Sequence, residues 1–246
     1  MVSGTTAGSS NEGSLTTPLI VAIDGPAGAG KSTVARALAQ RFGLLNLESG
    51  AMYRAFALKA IRARIATGDA VALETLAQET DVRLEPGEMG NRVLLDGADV
   101  TEQLRSPGVT AAASEVSVHP AVRRWLVGLQ QALGAQGNVV MEGRDIGTAV
   151  FPHAPVKIFL DASPEKRGER RYEQNRSTAV PTEMPAKVLE EIRARDRRDR
   201  TRADSPLKPA QDAVLIDSTD LTLEEVIERA AAVVERYLTG SAAFTG

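Results

Sequence analysis

There is no cysteine anywhere in the 246 residues. That excludes disulfides, thiolate metal sites and a cysteine nucleophile, and it is compatible with a reducing cytoplasm. An excess of positive charge is also missing. The formal net charge is −3, which argues against a general nucleic-acid binder, whose footprint would be basic. No apolar run is long enough to span a bilayer. Met1–Thr17 has neither a basic segment nor an apolar stretch of the kind a secretory signal needs, so it reads as a disordered leader. Residues 239–246 read as a flexible tail. Neither N-K-x-D nor D-x-x-G occurs, the two patterns by which regulatory switches read guanine and a γ-phosphate. What is there is ordinary for a globule with a sizeable core: 43% hydrophobic and 25% charged residues, in a length suited to one α/β domain with insertions.

One stretch organises the rest. The apolar run Leu19–Ile23 ends at Asp24 and is followed by Gly25-Pro26-Ala27-Gly28-Ala29-Gly30-Lys31-Ser32-Thr33, after which an amphipathic helix begins. Gly25, Gly30, Lys31 and Ser32 fit G-x-x-x-x-G-K-[ST]. A phosphate chain is wrapped there by bare backbone N–H groups at the positive end of a helix. Lys31 is placed for the β- and γ-phosphates and the Ser32 hydroxyl for Mg²⁺. A dinucleotide loop would need a third glycine where Thr33 stands. The strand–loop–helix context argues against a chance match, and the chain is read as binding a nucleoside triphosphate.

Strands and helices then alternate. The first helix presents Val34, Ala35, Leu38, Ala39 and Phe42 on one face and ends at Gly43. Leu44–Leu47 is a short strand, and Glu48–Arg54 opens a helix. From about Asp81 to Leu104, short strands at Val82–Leu84, Arg92–Leu95 and Val100 form a β-rich insertion, with turns at Pro86-Gly87, Gly90-Asn91 and Asp96-Gly97. Helices run from Ser106 to about Ala135, divided at Pro120. Asn138–Met141 and Val156–Leu160 are buried strands; Ser163 and Pro164 start a charged helix. Arg176–Pro185 has the composition of a mobile lid. A helix from Pro185 to about Arg202, a buried strand Ala213–Ile216 and a last helix follow. That helix has Thr222 and Glu225 as a capping box and Leu223, Val226, Ile227, Ala230, Val234 and Tyr237 as its core face. Five buried strands separated by helices predict an α/β fold with a five-stranded parallel sheet and helices on both faces.

Ligands of such sheets bind beyond the carboxyl ends of the strands. Glu48-Ser49 and Arg144-Asp145 follow the second and third strands, so both are expected to line the crevice of the phosphate loop. An arginine there clamps an anion, and an Asp or Ser beside it bonds a base or sugar. A plain Arg144–Asp145 ion pair at a strand end is the alternative. In the segment Ile192–Arg202, the positions Val188, Ile192, Arg195, Asp199 and Arg202 share one helical stripe. Its apolar start is expected to be buried, carrying the charged continuation into a cleft where arginines can stabilise a transferring phosphoryl group. A solvated, ion-paired face suits Arg193, Arg197 and Arg200 instead.

With these motifs in view, the chain resembles bacterial cytidylate kinases, P-loop enzymes of the nucleoside monophosphate kinase group. The resemblance rests on Gly25–Thr33, Glu48-Ser49-Gly50-Ala51-Met52-Tyr53-Arg54, Gly143-Arg144-Asp145-Ile146-Gly147-Thr148 and Arg195-Asp196-Arg197-Arg198-Asp199-Arg200, and covers Pro18 to Leu238. It implies γ-phosphoryl transfer from ATP to CMP or dCMP with Mg²⁺. It also implies a kinase core at 18–47, 138–164 and 186–238, a monophosphate-binding region at 48–137 with the β-rich insertion at about 80–105, and a helical lid at about 165–185. Carried over by residue, Gly25, Pro26, Ala27, Gly28, Ala29, Gly30, Lys31, Ser32 and Thr33 hold the ATP phosphates. Ser49, Arg123, Asp145 and Arg202 read cytosine. Ser114, Arg195 and Asp199 surround the ribose, and Arg54 and Arg144 clamp the acceptor phosphate. Lys31, Arg144, Arg195 and Arg202 form the catalytic set. Two departures stand out. Glu48 replaces the Asp common in the family, and the divergent lid leaves Arg167, Arg170 and Arg171 as candidates for the arginine that reaches the transferring group.

The expected mechanism is direct in-line transfer without a covalent intermediate, since a CMP phosphate oxygen is already a nucleophile at neutral pH. His119 and His153 then need no catalytic role, and Trp125 and Met141 are read as packing residues. The expected partners are small molecules only, with no nucleic acid and no membrane, and the expected protein is a cytoplasmic monomer. A kinase for adenylate, shikimate or dephospho-coenzyme A is the competing reading, disfavoured by the β-rich insertion and by Ser49 and Asp145.

Overall fold

The computed structural model describes residues 18–87, 90–177 and 184–240. The expected leader, the tail from Ser241 and the centre of the expected lid lie outside them.

The chain forms strand β1 (Ile20–Asp24), helix α1 (Lys31–Phe42), β2 (Leu45–Glu48), α2 (Ser49–Arg62) and α3 (Ala70–Gln78). The β-rich insertion follows as β3 (Val82–Gly87), β4 (Gly90–Leu95) and β5 (Ala98–Asp99), then α4 (Pro107–Val116) and α5 (Pro120–Gly134). The second half contains β6 (Val139–Gly143), β7 (Val156–Asp161), α6 (Pro164–Ser177), α7 (Pro185–Thr201), β8 (Val214–Asp217) and α8 (Leu223–Leu238).

The main sheet is five-stranded in the order β2-β6-β1-β7-β8, and its pairings are all parallel. Successive side chains of a strand point to opposite faces, and the core divides accordingly. Ala22, Val139 and Met141 join α2 to α5 and the insertion in one cluster. Val21, Ile23, Val140, Ile158 and Leu160 join α1 and α8 in the other. The central strands are therefore apolar on both faces over most of their length, as a sheet covered on both sides requires, with Asp24, Glu142 and Lys157 as their buried charged residues.

Local chemistry sets the ends of the elements. Gly43 closes α1 at φ 64°, where its N–H bonds Ala39 O. Ser106 caps α4, and Thr222 with Glu225 makes the reciprocal box expected at α8. The Ser163 hydroxyl accepts from Lys166 N at 3.2 Å at the start of α6.

Three details differ from expectation. The last strand is an edge and not a buried strand: its Leu215 is 65% exposed, because only β7 pairs with it. Leu223 and Tyr237, at the two ends of α8, are exposed, since the helix outreaches the sheet it covers. In the insertion the third strand is Ala98–Asp99, and Val100 is instead a buried residue leading into the 3₁₀ turn Thr101–Arg105.

Two neighbouring strands position the site. β1 and β6 pair with Asp24 opposite Gly143, so the residues that follow each strand emerge side by side. β1 connects outward to β2 on one flank, and β6 connects to β7 on the other. A crevice opens at such a switch point.

Candidate active site

The phosphate loop runs from β1 into α1 with Gly25, Gly28 and Gly30 all at positive φ. At Gly25 a Cβ would lie 1.9 Å from Leu160 O on β7, so only glycine lets the loop leave the sheet there. Gly30 precedes the helix, and its carbonyl accepts from Thr33 N and Val34 N, both at 3.1 Å. Lys31 is buried, donates from Nζ to Pro26 O at 2.8 Å, and lies 3.9 Å from Glu142 Oε2. The Ser32 hydroxyl donates to Glu142 Oε1 at 3.1 Å.

No sequence motif gives Asp24 or Glu142 a role. Both stand at the carboxyl ends of central strands, the one signal that could have found them. Asp24 accepts from Ile146 N and Gly147 N, each at 2.7 Å, and so ties the loop after β6 to the end of β1. Burial pushes the Asp24 carboxyl up to about 7, against the pull of those two N–H groups. Burial also pushes Lys31 down to about 7, helped by the charges of Arg144 and Arg195 and opposed by Glu142. Glu142 is itself raised by burial, with Lys31 opposing. A polyanion entering this loop would reverse the shift on Lys31, because it supplies the charge that burial denies.

Opposite the loop, Arg144 and Asp145 do not pair with each other. Arg144 donates from Nε to Asp199 Oδ2 at 2.9 Å, across to α7. Asp145 is buried between Arg123, to which it is hydrogen-bonded, and Arg202, whose Nη2 is 3.5 Å from its Oδ1. Arg123 in turn lies over the Tyr53 ring, 5.8 Å from its centroid, and donates to Ser117 O at 3.3 Å. Ser49, at the first turn of α2, donates to Glu142 O at 2.8 Å. Arg54 pairs with Glu48 at the end of β2. Asn91 of the insertion holds the end of β2, accepting from Glu48 N at 3.1 Å and donating to Asn46 O at 2.8 Å.

The stripe on α7 points inward as the spacing predicts: Val188, Ile192, Asp199 and Arg202 are buried, whereas Arg193, Arg197 and Arg200 are exposed. Arg195 sits among other guanidinium groups. Burial and the charges of Arg144, Arg54 and Arg171 lower it to about 10, with Asp199 opposing. Its Nε has no hydrogen-bond partner, and neither has the buried Ser114 hydroxyl. Arginines converging in this way form a pocket for an anion.

The three lid candidates separate. Arg167 is fully buried and committed to Ala162 O, Ala27 O and Asp196. Arg170 donates to Ser218, 3.0 Å to its hydroxyl and 2.6 Å to its carbonyl. Arg171 is the one electrostatically close to Arg54 and Arg195. His119 precedes α5, its Nε2 2.7 Å from Thr67 O; His153 lies in a surface turn. Trp125 packs against Phe56, and Met141 is in the core.

Comparison with known proteins points the same way as this geometry. The family model described as cytidylate kinase matches residues 21–236. A cytidylate kinase of Pelotomaculum thermopropionicum is 52% identical over 215 residues, 87% of this chain and 95% of that protein. One from Solibacter usitatus is 47% identical over 228 residues, 92% of this chain and 97% of its own. One from Geobacillus kaustophilus is 48% identical, over 89% of this chain and 97% of its own. Among solved structures, a shikimate kinase from Bacteroides thetaiotaomicron covers 91% of this chain and 99% of its own at 13% identity and a TM-score of 0.47, a likeness too distant to bear on the site. With family-model coverage of nearly the whole chain and relatives near half identical, this chain belongs to the cytidylate kinase family and is a nucleoside monophosphate kinase.

Proposed function

We propose that the chain moves the γ-phosphoryl group of ATP to CMP or dCMP, with Mg²⁺, by direct in-line transfer, as a cytoplasmic monomer. The observation that carries the two-substrate reading is the pairing of Asp24 with Gly143. It sets the phosphate loop and the Arg144-Asp145 turn against each other across one crevice.

In this reading Gly25 to Thr33 receive the donor phosphates and Lys31 bridges the β- and γ-oxygens. A cavity of about 460 Å³ at the ends of β7 and β8, lined among others by Asp161, Ser163, Asp196, Thr219 and Arg167, the last of which reaches Ala27 O of the loop, is of a size for the donor nucleoside. On the other side Arg54 and Arg144 hold the acceptor phosphate. Asp145, between Arg123 and Arg202, presents a fixed carboxylate to the amino edge of cytosine, joined by Ser49. Ser114, Arg195 and Asp199 face the ribose. The unpartnered Ser114 hydroxyl and Arg195 Nε are then satisfied by substrate, since buried polar groups are rarely left unpaired.

Ser32 Oγ and Glu142 Oε1 form a small set of hard oxygens at the loop. Among the described residues no cluster of three or more acidic or histidine side chains is arranged as a metal cage. Mg²⁺ keeps several waters and takes phosphate oxygens alongside one or two protein groups, which Ser32 and Glu142 would supply. When bound it would screen the charge on the phosphate oxygens. No general base is required, and this chain's own contribution is positioning, arginine charge and exclusion of water.

The test is an ADP-release assay with Mg·ATP across CMP, dCMP, UMP, AMP and shikimate. The expected result is acceptor-dependent turnover with CMP and dCMP above the others. Turnover led by AMP or shikimate would overturn the acceptor assignment.

A further inference from the structure

Arg167 is the most completely buried guanidinium of α6, and the reaction as proposed gives it no part beyond lining, with Asp196, the wall of the donor cavity. Its Nε donates to Ala162 O at 2.8 Å, at the turn from β7 to α6. Its Nη1 donates to Ala27 O, inside the phosphate loop, at 3.1 Å. Nη1 and Nη2 together grip both carboxylate oxygens of Asp196 on α7, at 3.1 and 2.6 Å. One side chain thus joins the donor loop to the helix that carries Arg195 and Asp199. The loop is moulded to this arrangement: at Gly28 a Cβ would lie 3.2 Å from both Arg167 Cβ and Arg167 O. On its other side α6 packs closely on α7, where Gly168 faces Leu189.

We propose that the Arg167–Asp196 pair is a positioning strap that makes the donor and acceptor sites respond to each other. The proposal rests on the two-substrate reading above. The N–H groups of a phosphate-wrapping loop turn toward the ligand, so the Ala27 carbonyl turned toward Arg167 is free to report where the loop sits. Settling of the loop on a triphosphate is passed through a planar, bidentate guanidinium, which holds direction as well as distance. Asp196 receives it one residue from Arg195 and one turn from Asp199, the latter fixed to Arg144. Thermodynamic reciprocity then requires that each ligand tighten the other by the same factor.

The full chain is titrated with CMP, with and without saturating Mg²⁺ and a β,γ-imido analogue of ATP. Wild type is expected to bind CMP about fivefold or more tightly with the analogue present, within the usual span of such couplings. Asp196→Asn keeps the shape but weakens the grip on the guanidinium. It should bring that factor to within about twofold of unity while CMP affinity without the analogue changes little, and the KM for CMP at saturating ATP should rise correspondingly. Since Asp196→Asn could leave a poorly paired guanidinium in the interior, the double variant Arg167→Met/Asp196→Leu replaces the pair by apolar residues of similar volume, a change cores tolerate; folded, it should show the same loss of coupling. The proposal is overturned if wild type shows no coupling, if a folded variant retains the wild-type factor, or if CMP affinity without the analogue falls as much as with it. It is also overturned if neither variant folds, which would make the pair a determinant of folding alone. Phosphorylation of CMP by the wild-type chain is measured on the same sample, so failure of the underlying reaction is read separately.

Discussion

Arg144 makes its contacts with Asp199 and Gly143 O from a half-buried position just past the end of β6, so in the proposed reading its removal chiefly unmakes the acceptor site. Arg144→Ala is expected to raise the KM for CMP roughly 10- to 100-fold, the worth of a charge-assisted bond to an anion, and to leave ATP affinity within a few fold. Equal losses for both nucleotides in direct titrations would move the acceptor site elsewhere. Asp24 supports a pH prediction. Its carboxyl titrates near 7 in the fold against 3.8 when unfolded. A raised carboxyl contributes stability that is fully present below about pH 4 and is lost as pH climbs toward 7, on the order of 4 kcal/mol for about three pH units. Lys31, lowered to about 7, acts above that window, where its contribution grows with pH. Asp24→Asn has no charge to lose. Denaturant titrations at pH 4.5 and 7.5 are therefore expected to show the variant gaining on wild type by a few kcal/mol at the higher pH. The same stability difference at both values would remove Asp24 as the source.

The elements around the site were legible in the sequence to very different degrees. The phosphate loop announces itself, because its constraints are local: glycines where the backbone must bend and a lysine at a fixed distance. The inward stripe of α7 was legible too, since helical spacing alone puts Ile192, Arg195 and Asp199 together. Asp196 lies on the same stripe, four residues beyond Ile192, yet nothing in the sequence joins it to Arg167, 29 residues away. The strand order was equally invisible, because which strand inserts beside β1 is decided by packing over more than a hundred residues. The exposed edge at β8 is hidden from the sequence for that reason: Val214-Leu215-Ile216 reads as a core strand until its missing neighbour is known. At this scale Gly28→Ala is the informative change. The residue has φ +79° and its new Cβ would press on the Arg167 backbone, so the loop and α6 must part by some tenths of an ångström. The expected outcome is a KM for ATP raised by about tenfold or more and a stability loss of about 1–2 kcal/mol from the left-handed backbone, measured by initial rates and denaturant unfolding. An unchanged KM for ATP would mean that the loop does not depend on its seat against α6.

Across the whole molecule, 32 acidic side chains outnumber 29 lysines and arginines, yet Arg54, Arg144 and Arg171 all lie within electrostatic reach of Arg195, with Glu48 paired to Arg54 and Asp199 to Arg144. Charge is therefore distributed unevenly, with like-signed groups concentrated where an anion is to be received, an arrangement that draws anionic ligands and strains the protein holding it. Arg195 is lowered to about 10 by burial first and by Arg144, Arg54 and Arg171 beside it, so its charge is held there at a cost in stability. Function and stability should then be opposed at this residue, as they are at many active sites. Arg195→Leu keeps the buried stem's volume and removes the charge. It is expected to melt higher than wild type without nucleotide, by a few degrees, and to gain less from CMP. Ligand at about a hundred times its Kd stabilises a protein by about 2.7 kcal/mol, which in a domain of this size amounts to roughly 5–10 °C. In the variant, at the same CMP concentration, weaker binding shrinks that gain. Thermal melts with and without CMP separate the two effects on one sample. A variant that melts lower than wild type and still rises fully with CMP would show that Arg195 is held for packing and that the strain in the crevice lies elsewhere.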